Sequence, residues 1–186
     1  MNLIAPLLTP DTTLLDLSFT SKKKLFEHAA ELFAQTYGLK ATDVFTSLFD
    51  RERLGSTALG SGIAIPHGRI KGLKDASGAL YRLKTPLEFD APDNQPVSLC
   101  FILLVPQDAN ERHLQILGEL AQLFSDNAMR TRMLNVATPS ELIALLGAST
   151  ALTFSLSLFA STRHITTTLF DLLGHAAASV LGGIAG

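Results

Sequence analysis

The sequence predicts an α/β domain. Three observations carry the prediction. Short runs of strand character alternate along the chain with amphipathic stretches at helical spacing. Residues 97–105 are almost all apolar and stop at Pro106, the pattern of a strand buried on both faces. The helical stretches carry their own start and stop signals, the clearest at Thr138-Pro139-Ser140-Glu141.

Taken in order, residues 13–17 form a short strand. Ser21 starts a helix whose Leu25, Ala29, Leu32 and Phe33 share one face, and Gly38 stops it. Thr42 is the expected cap of a second helix, with Val44, Phe45, Leu48 and Phe49 inward. That helix runs into Arg51-Glu52-Arg53 and breaks at Gly55. Gly60 and Gly62 mark a loop, and residues 63–65 are a short strand ending at Pro66. Residues 79–83 alternate as a strand, and residues 86–96 are rich in turn formers. After the apolar strand, Asn110 caps a helix whose predicted buried face is Leu114, Leu117, Leu120, Ala121 and Phe124. Asp126-Asn127 ends it, and a short helix follows from Ala128 to about Val136. In the last helix, capped by Thr138 with Glu141 as the capping-box carboxylate, Leu142, Leu145 and Leu146 pack inward and Gly147 is the expected stop.

Composition narrows the function. The chain has 186 residues, Lys+Arg 15 against Asp+Glu 17, and a formal net charge of -2. That balance excludes a broadly basic nucleic-acid binder. A single cysteine excludes an internal disulfide framework and a cysteine-rich zinc site, and Cys100, inside the apolar strand, reads as a buried small hydrophobe. The N-terminus lacks a basic segment and is interrupted by Pro6 and Pro10, so it does not read as a secretory signal. A cytoplasmic protein is expected. Charge is only 17%, and the deficit sits at one end. Residues 148–186 carry only Arg163 and Asp171 as charges, whereas 1–147 have a normal globular mixture. The expected organisation is therefore a domain over 1–147 and a low-charge, apolar extension over 148–186, read first as a disordered or loosely attached tail, second as an added strand or oligomer contact, and third as a membrane anchor. Within the extension, residues 152–158 alternate strictly, a strand period that argues against a membrane anchor.

The chemistry concentrates between Arg51 and Arg69. The segment lacks the Gly-Lys-Ser/Thr end of a P-loop and the glycine spacing of a dinucleotide fingerprint. No nucleophile elbow and no paired metal ligands occur, so no metal and no cofactor is expected. What the segment offers is His67, placed after a short strand and between Pro66 and Gly68. An imidazole is largely neutral at pH 7 and can act as a nucleophile. A histidine that attacks phosphorus needs exposure, donors for the phosphoryl oxygens and a neighbour that fixes its tautomer. Gly68, Ser56, Thr57, Arg51 and Arg69 are the candidate donors. His113 lies in the first turn of the helix led by Asn110, where imidazolium is disfavoured and anions are attracted. On pattern alone the favoured reading of His113 is an exposed polar residue opposite the leucine face, and that of Arg51 and Arg53 a solvated helix end. His28 reads as a satisfied structural residue.

The run Gly55-Ser-Thr-Ala-Leu-Gly60-Ser-Gly62-Ile-Ala-Ile-Pro-His67-Gly-Arg69 resembles the active-site signature of the type-2 IIA domains of the bacterial phosphoenolpyruvate phosphotransferase system. This is the fructose-mannitol family with its nitrogen-regulatory branch. The resemblance covers about residues 3–147 and takes in Arg51-Glu52 and His113-Leu114. It implies a single domain with a mixed central sheet flanked by helices. It also implies a phosphoryl carrier: His67 accepts a phosphoryl group from the phosphohistidine of HPr or its nitrogen-branch paralogue, His113 helps to hold it, and Arg51 lies close by. A stand-alone Ile-Pro-His-Gly-Arg domain resembles the nitrogen-regulatory branch, whose members bind targets such as potassium transport systems and sensor kinases. The alternative is the IIA subunit of a fructose/mannitol-type sugar permease, which passes the group to a IIB domain. Two departures stand out: Ala58 where the family usually has glycine, and the extension from Ala148.

Overall fold

The computed structural model describes residues 2–108 and 111–153. The first strand, β1 (Thr13–Leu17), is preceded by two turns of 3-10 helix at Ala5–Leu7 and Pro10–Thr12. Helices α1 (Lys22–Tyr37) and α2 (Ala41–Arg53) follow. Then come strands β2 (Ala58–Gly60), β3 (Ile63–Ala64), β4 (His67–Ile70), β5 (Ser77–Leu87) and β6 (Val97–Pro106). Helices α3 (Glu111–Ser125), α4 (Asn127–Asn135) and α5 (Pro139–Thr153) complete the described chain.

The strands form one mixed sheet of six. β5 pairs with β1 in parallel and with β6 antiparallel. On its other side β6 pairs in parallel with β3 and then, further along, with β4. β2 closes antiparallel on β3. β3 and β4 thus run as one interrupted strand beside β6, and the interruption is Ile65-Pro66.

The apolar run is the centre of the fold for a physical reason. Successive side chains of a strand point to opposite faces. Cys100, Ile102 and Leu104 pack with Phe26, Phe33, Val44 and Leu48 of α1 and α2. Leu99, Phe101, Leu103 and Val105 pack with Ile116, Leu120, Phe124, Leu142 and Leu146 of α3 and α5. A strand covered by helices on both sides has no polar face. Cys100 is fully buried, and burial pushes its thiol up, so it behaves as a small apolar side chain.

Helix ends follow local chemistry, with corrections. Ser21 Oγ accepts from the Lys24 amide, and Gly38 closes α1 at φ +68°. Thr138 Oγ1 accepts from the Glu141 amide at 3.2 Å, and the Glu141 carboxylate accepts from the amides of Ala137 and Thr138. Thr42 is not a cap: α2 starts from Lys40, and Thr42 lies inside its first turn. Asn110 lies outside the described residues. Gly147 does not stop α5, which continues to Thr153. A helix interior tolerates glycine at about 1 kcal/mol relative to alanine, and the Asn2 side-chain amide donates to the carbonyls of Leu146 and Gly147 there. Leu152 and Thr153, expected in a strand, belong to α5; the rest of that alternating run lies outside the described residues. No helix among the described residues is long and apolar enough to cross a membrane.

Candidate active site

His67 follows the short strand β3, as expected, and is itself the first residue of β4. It stands in register with Leu103, so its side chain leaves on the face that α3 covers. The imidazole is partly buried. Its Nδ1 lies 2.8 Å from the Ile65 carbonyl oxygen. A carbonyl can only accept, so Nδ1 carries the proton. Arg51 Nε donates to His67 Nε2 at 3.1 Å, which makes Nε2 the acceptor nitrogen. The two hydrogen bonds agree on one tautomer, with the lone pair on Nε2.

The break in the strand creates this arrangement. Ile65 N–H bonds the Thr57 carbonyl at 2.9 Å, and the Pro66 carbonyl accepts from Leu103 N–H at 2.9 Å. Pro66 has no N–H to offer either neighbour. The Thr57 N–H, which lies opposite the Ile65 carbonyl in this antiparallel pairing, donates to Glu52 Oε2 instead, and the Ile65 carbonyl turns to the imidazole two residues on.

Arg51 reaches His67 from the last turn of α2, and its Nη1 also donates to the Gly55 carbonyl at 2.9 Å. Arg69 stands in register with Val105, so its exposed side chain leaves on the same face as His67. Burial lowers the His67 pKa from 6.5 to about 4, and the positive charges of Arg51 and Arg69 add to this. The Ile65 hydrogen bond opposes them. The ring is therefore neutral at pH 7, with its nucleophilic lone pair intact.

His113 sits in the first turn of α3, one turn before Ile116, and is only 6% exposed. It lies on the buried side of its helix, not opposite it. The predicted apolar face is turned accordingly: Leu114 is 50% exposed, and Ile116 takes the buried place. His67 and His113 thus belong to the same layer, between the sheet face and α3.

Three predicted donors are committed elsewhere. Ser56 Oγ donates to the Phe89 carbonyl and accepts from Ala58 N–H at 3.2 Å. Thr57 is buried, and its hydroxyl and amide both donate to Glu52 Oε2, at 2.5 and 3.0 Å. The carbonyls of Pro66 and Ile70 both accept from β6 or its continuation, so the intervening Gly68 presents its backbone to β6 as well. Gly68 is required for packing: a Cβ there would meet Ser47 Oγ at 2.5 Å, and that hydroxyl is held by the Arg69 carbonyl at 2.9 Å. His67 and Arg69 have their backbone amides toward the open edge of β4 instead. In the sequence Glu52 stands out only as a neighbour of Arg51, because its partner Lys22 lies on another helix. His28 is a structural residue, its Nδ1 2.9 Å from the Tyr81 hydroxyl. Ala58 lies in β2 and is buried.

The site is a neutral, tautomer-locked histidine at the edge of a mixed sheet, with an arginine on its lone pair. The chain belongs to the family described as phosphoenolpyruvate-dependent sugar phosphotransferase system, EIIA 2, which matches residues 6–148. Among its relatives is the nitrogen regulatory protein of Pseudomonas aeruginosa, 39% identical over 137 residues, covering 73% of this chain and 89% of that protein. The crystal structure of nitrogen regulatory protein IIA-Ntr from Neisseria meningitidis is 48% identical with a TM-score of 0.74. It covers 77% of this chain and 99% of that one. A 32% identical match, over 73% of this chain, spans 21% of the 2-O-alpha-mannosyl-D-glycerate-specific EIIABC component of Escherichia coli.

The depressed His67 pKa predicts a pH dependence of stability. The unfolded chain takes up this proton near pH 6.5 and the folded chain only near 4. Between these values the unfolded state binds more protons, so this contribution is fully present above pH 6.5 and is lost as pH falls toward 4. Denaturant titrations at pH 7.5 and 4.5 should show wild type losing on the order of 2 kcal/mol more than His67→Ala. Equal losses would place the His67 pKa at its ordinary value.

Proposed function

We propose that this chain is a phosphoryl carrier and that His67 Nε2 accepts the phosphoryl group from the phosphohistidine of an HPr-like carrier protein. The observation that carries the reading is the opposed pair of hydrogen bonds on the imidazole. Nδ1–H is held by Ile65, and Nε2 keeps its lone pair facing Arg51.

In the step, Nε2 forms a bond to phosphorus as the bond from phosphorus to the donor imidazole breaks. His67 keeps its proton on Nδ1 and becomes a phosphorylated imidazolium, with that N–H on the Ile65 carbonyl. The donor ring, protonated on its other nitrogen, leaves as neutral imidazole, so no net proton is exchanged. Arg51 must leave Nε2 for phosphorus to approach, and its guanidinium is then beside the phosphoryl oxygens. Arg69, on the same face, adds positive charge, and His113 lies in the same layer as a phosphoryl-binding partner. The amides of His67 and Arg69 at the strand edge serve as backbone donors in place of Gly68 N–H and of the Ser56 and Thr57 hydroxyls.

The donor protein would meet an apolar rim. Leu54 is 71% exposed, directly after the Arg51 turn, and Leu114 follows His113. Phosphorylation adds roughly -1.5 to -2 charges at neutral pH to a site holding two arginines. That change suits a switch in partner binding. We assign the chain to the nitrogen-regulatory branch, acting in the cytoplasm on targets such as potassium transport systems or sensor kinases. The near full-length match to nitrogen regulatory proteins supports this branch. The match to part of an EIIABC component supports the other reading, a permease IIA subunit, which would pass the group to a IIB domain.

Intact-protein mass spectrometry tests the proposal, with phosphoenolpyruvate, the first enzyme of the system and the carrier protein. Wild type should take up one acid-labile phosphoryl group and His67→Ala none. No uptake by folded wild type, or uptake by His67→Ala, would overturn the assignment. Leu54→Glu should raise KM for the carrier about tenfold while leaving the fold unchanged; an unchanged KM would remove Leu54 from the docking rim.

A further inference from the structure

Glu52 lies next to Arg51 on the last turn of α2 and points away from His67, because adjacent helical side chains diverge. It is 8% exposed, and a buried carboxylate is costly unless it is fully paired. Its Oε1 accepts from Lys22 Nζ at 2.9 Å, and its Oε2 accepts from the amide and hydroxyl of Thr57. Lys22 also holds Asp90 Oδ2 at 2.7 Å and stands over the Phe89 ring. Ser56 Oγ is fixed on the Phe89 carbonyl.

The connection from α2 to β2 is therefore tied at Ser56 and Thr57. Gly55, inside it, supplies the carbonyl that accepts from Arg51 Nη1. A guanidinium is a rigid planar fork, so fixing Nη1 on Gly55 sets where Nε points. Nε points at His67 Nε2. Hydrogen bonds link Lys22 to Glu52 and Glu52 to Thr57, the backbone runs from Thr57 through Ser56 to Gly55, and hydrogen bonds link Gly55 to Arg51 and Arg51 to the reacting nitrogen.

We propose that Glu52 is a positioning residue for phosphoryl transfer at His67, acting through the Thr57–Gly55 connection on Arg51, with Lys22 as its neutralising cation. This rests on the phosphoryl-carrier reading of His67. Glu52 touches neither the imidazole nor the incoming group. Its role is to hold the arginine where the charge develops.

A double-mutant cycle tests the proposal. Glu52→Gln keeps the volume and an acceptor for Thr57 but removes the charge that holds Lys22. In the wild-type background it should lower kcat for phosphoryl acceptance about tenfold, with KM for the carrier within about twofold. In an Arg51→Ala background the same change should alter kcat less than about twofold. If Glu52→Gln does not fold, Thr57→Val, which removes only the hydroxyl's hydrogen bond, is read in the same cycle. An unchanged kcat in the wild-type background, or the same loss with and without Arg51, would overturn the proposal and leave Glu52 a purely structural residue. Imidazole NMR of the unphosphorylated protein separates this from the carrier reading. The His67 Nε2 signal should shift in Glu52→Gln, whereas adding Glu52→Gln to Arg51→Ala should shift it no further than Arg51→Ala alone. No shift in Glu52→Gln would count against the coupling even if wild type accepted phosphoryl normally. A shift with no uptake by wild type would defeat the carrier reading alone.

Discussion

The hydrogen bond from His67 Nδ1 to the Ile65 carbonyl depends on a broken strand, and the rest of the site is arranged around it. A continuous strand beside β6 would direct alternate carbonyls into the sheet or toward β2. Pro66, lacking an N–H, interrupts the ladder to β6, and the Thr57 N–H opposite the Ile65 carbonyl is held by Glu52. The carbonyl then fixes the imidazole's proton on one nitrogen and leaves the other for chemistry. Burial and two arginines keep the ring neutral, so the tautomer set by the backbone persists at neutral pH.

The alternation of β4 separates two tasks. His67 and Arg69 face the layer under α3, where His113 is also buried. Gly68 and Ile70 face α2, and the absence of a side chain at Gly68 lets Ser47 pack against the strand and hold the Arg69 carbonyl. Arg51 comes around the open edge from the end of α2. His67, Arg69 and Arg51 therefore meet at a sheet edge, while close packing on the opposite face keeps the edge in place.

Much of the fold was legible because its signals are local. The Ser21 and Thr138 caps, the Gly38 stop and the two-sided burial of the apolar strand each follow from a few neighbouring residues. The misreadings share a cause, which is that tertiary contacts decided the matter. Leu114 and Ile116 both fit an apolar face, and only the position of α3 on the sheet chooses Ile116. Gly147 reads as a stop, yet α5 runs through it. In the site, His67, Arg51 and Arg69 were visible as motif residues. Ser56 and Thr57 were visible too, but for the wrong purpose: hydroxyls near a histidine look like phosphoryl donors until Glu52 and the Phe89 carbonyl, distant in sequence, claim them.

The choice of nitrogen is the most direct test of this chemistry. Imidazole NMR of the phosphorylated protein, isotopically labelled at histidine, reads which ring nitrogen is coupled to phosphorus. The expected result is coupling to His67 Nε2 with Nδ1 still protonated. Phosphorus on Nδ1 would contradict the tautomer set by Ile65, and with it the place of Arg51 at the reacting atom.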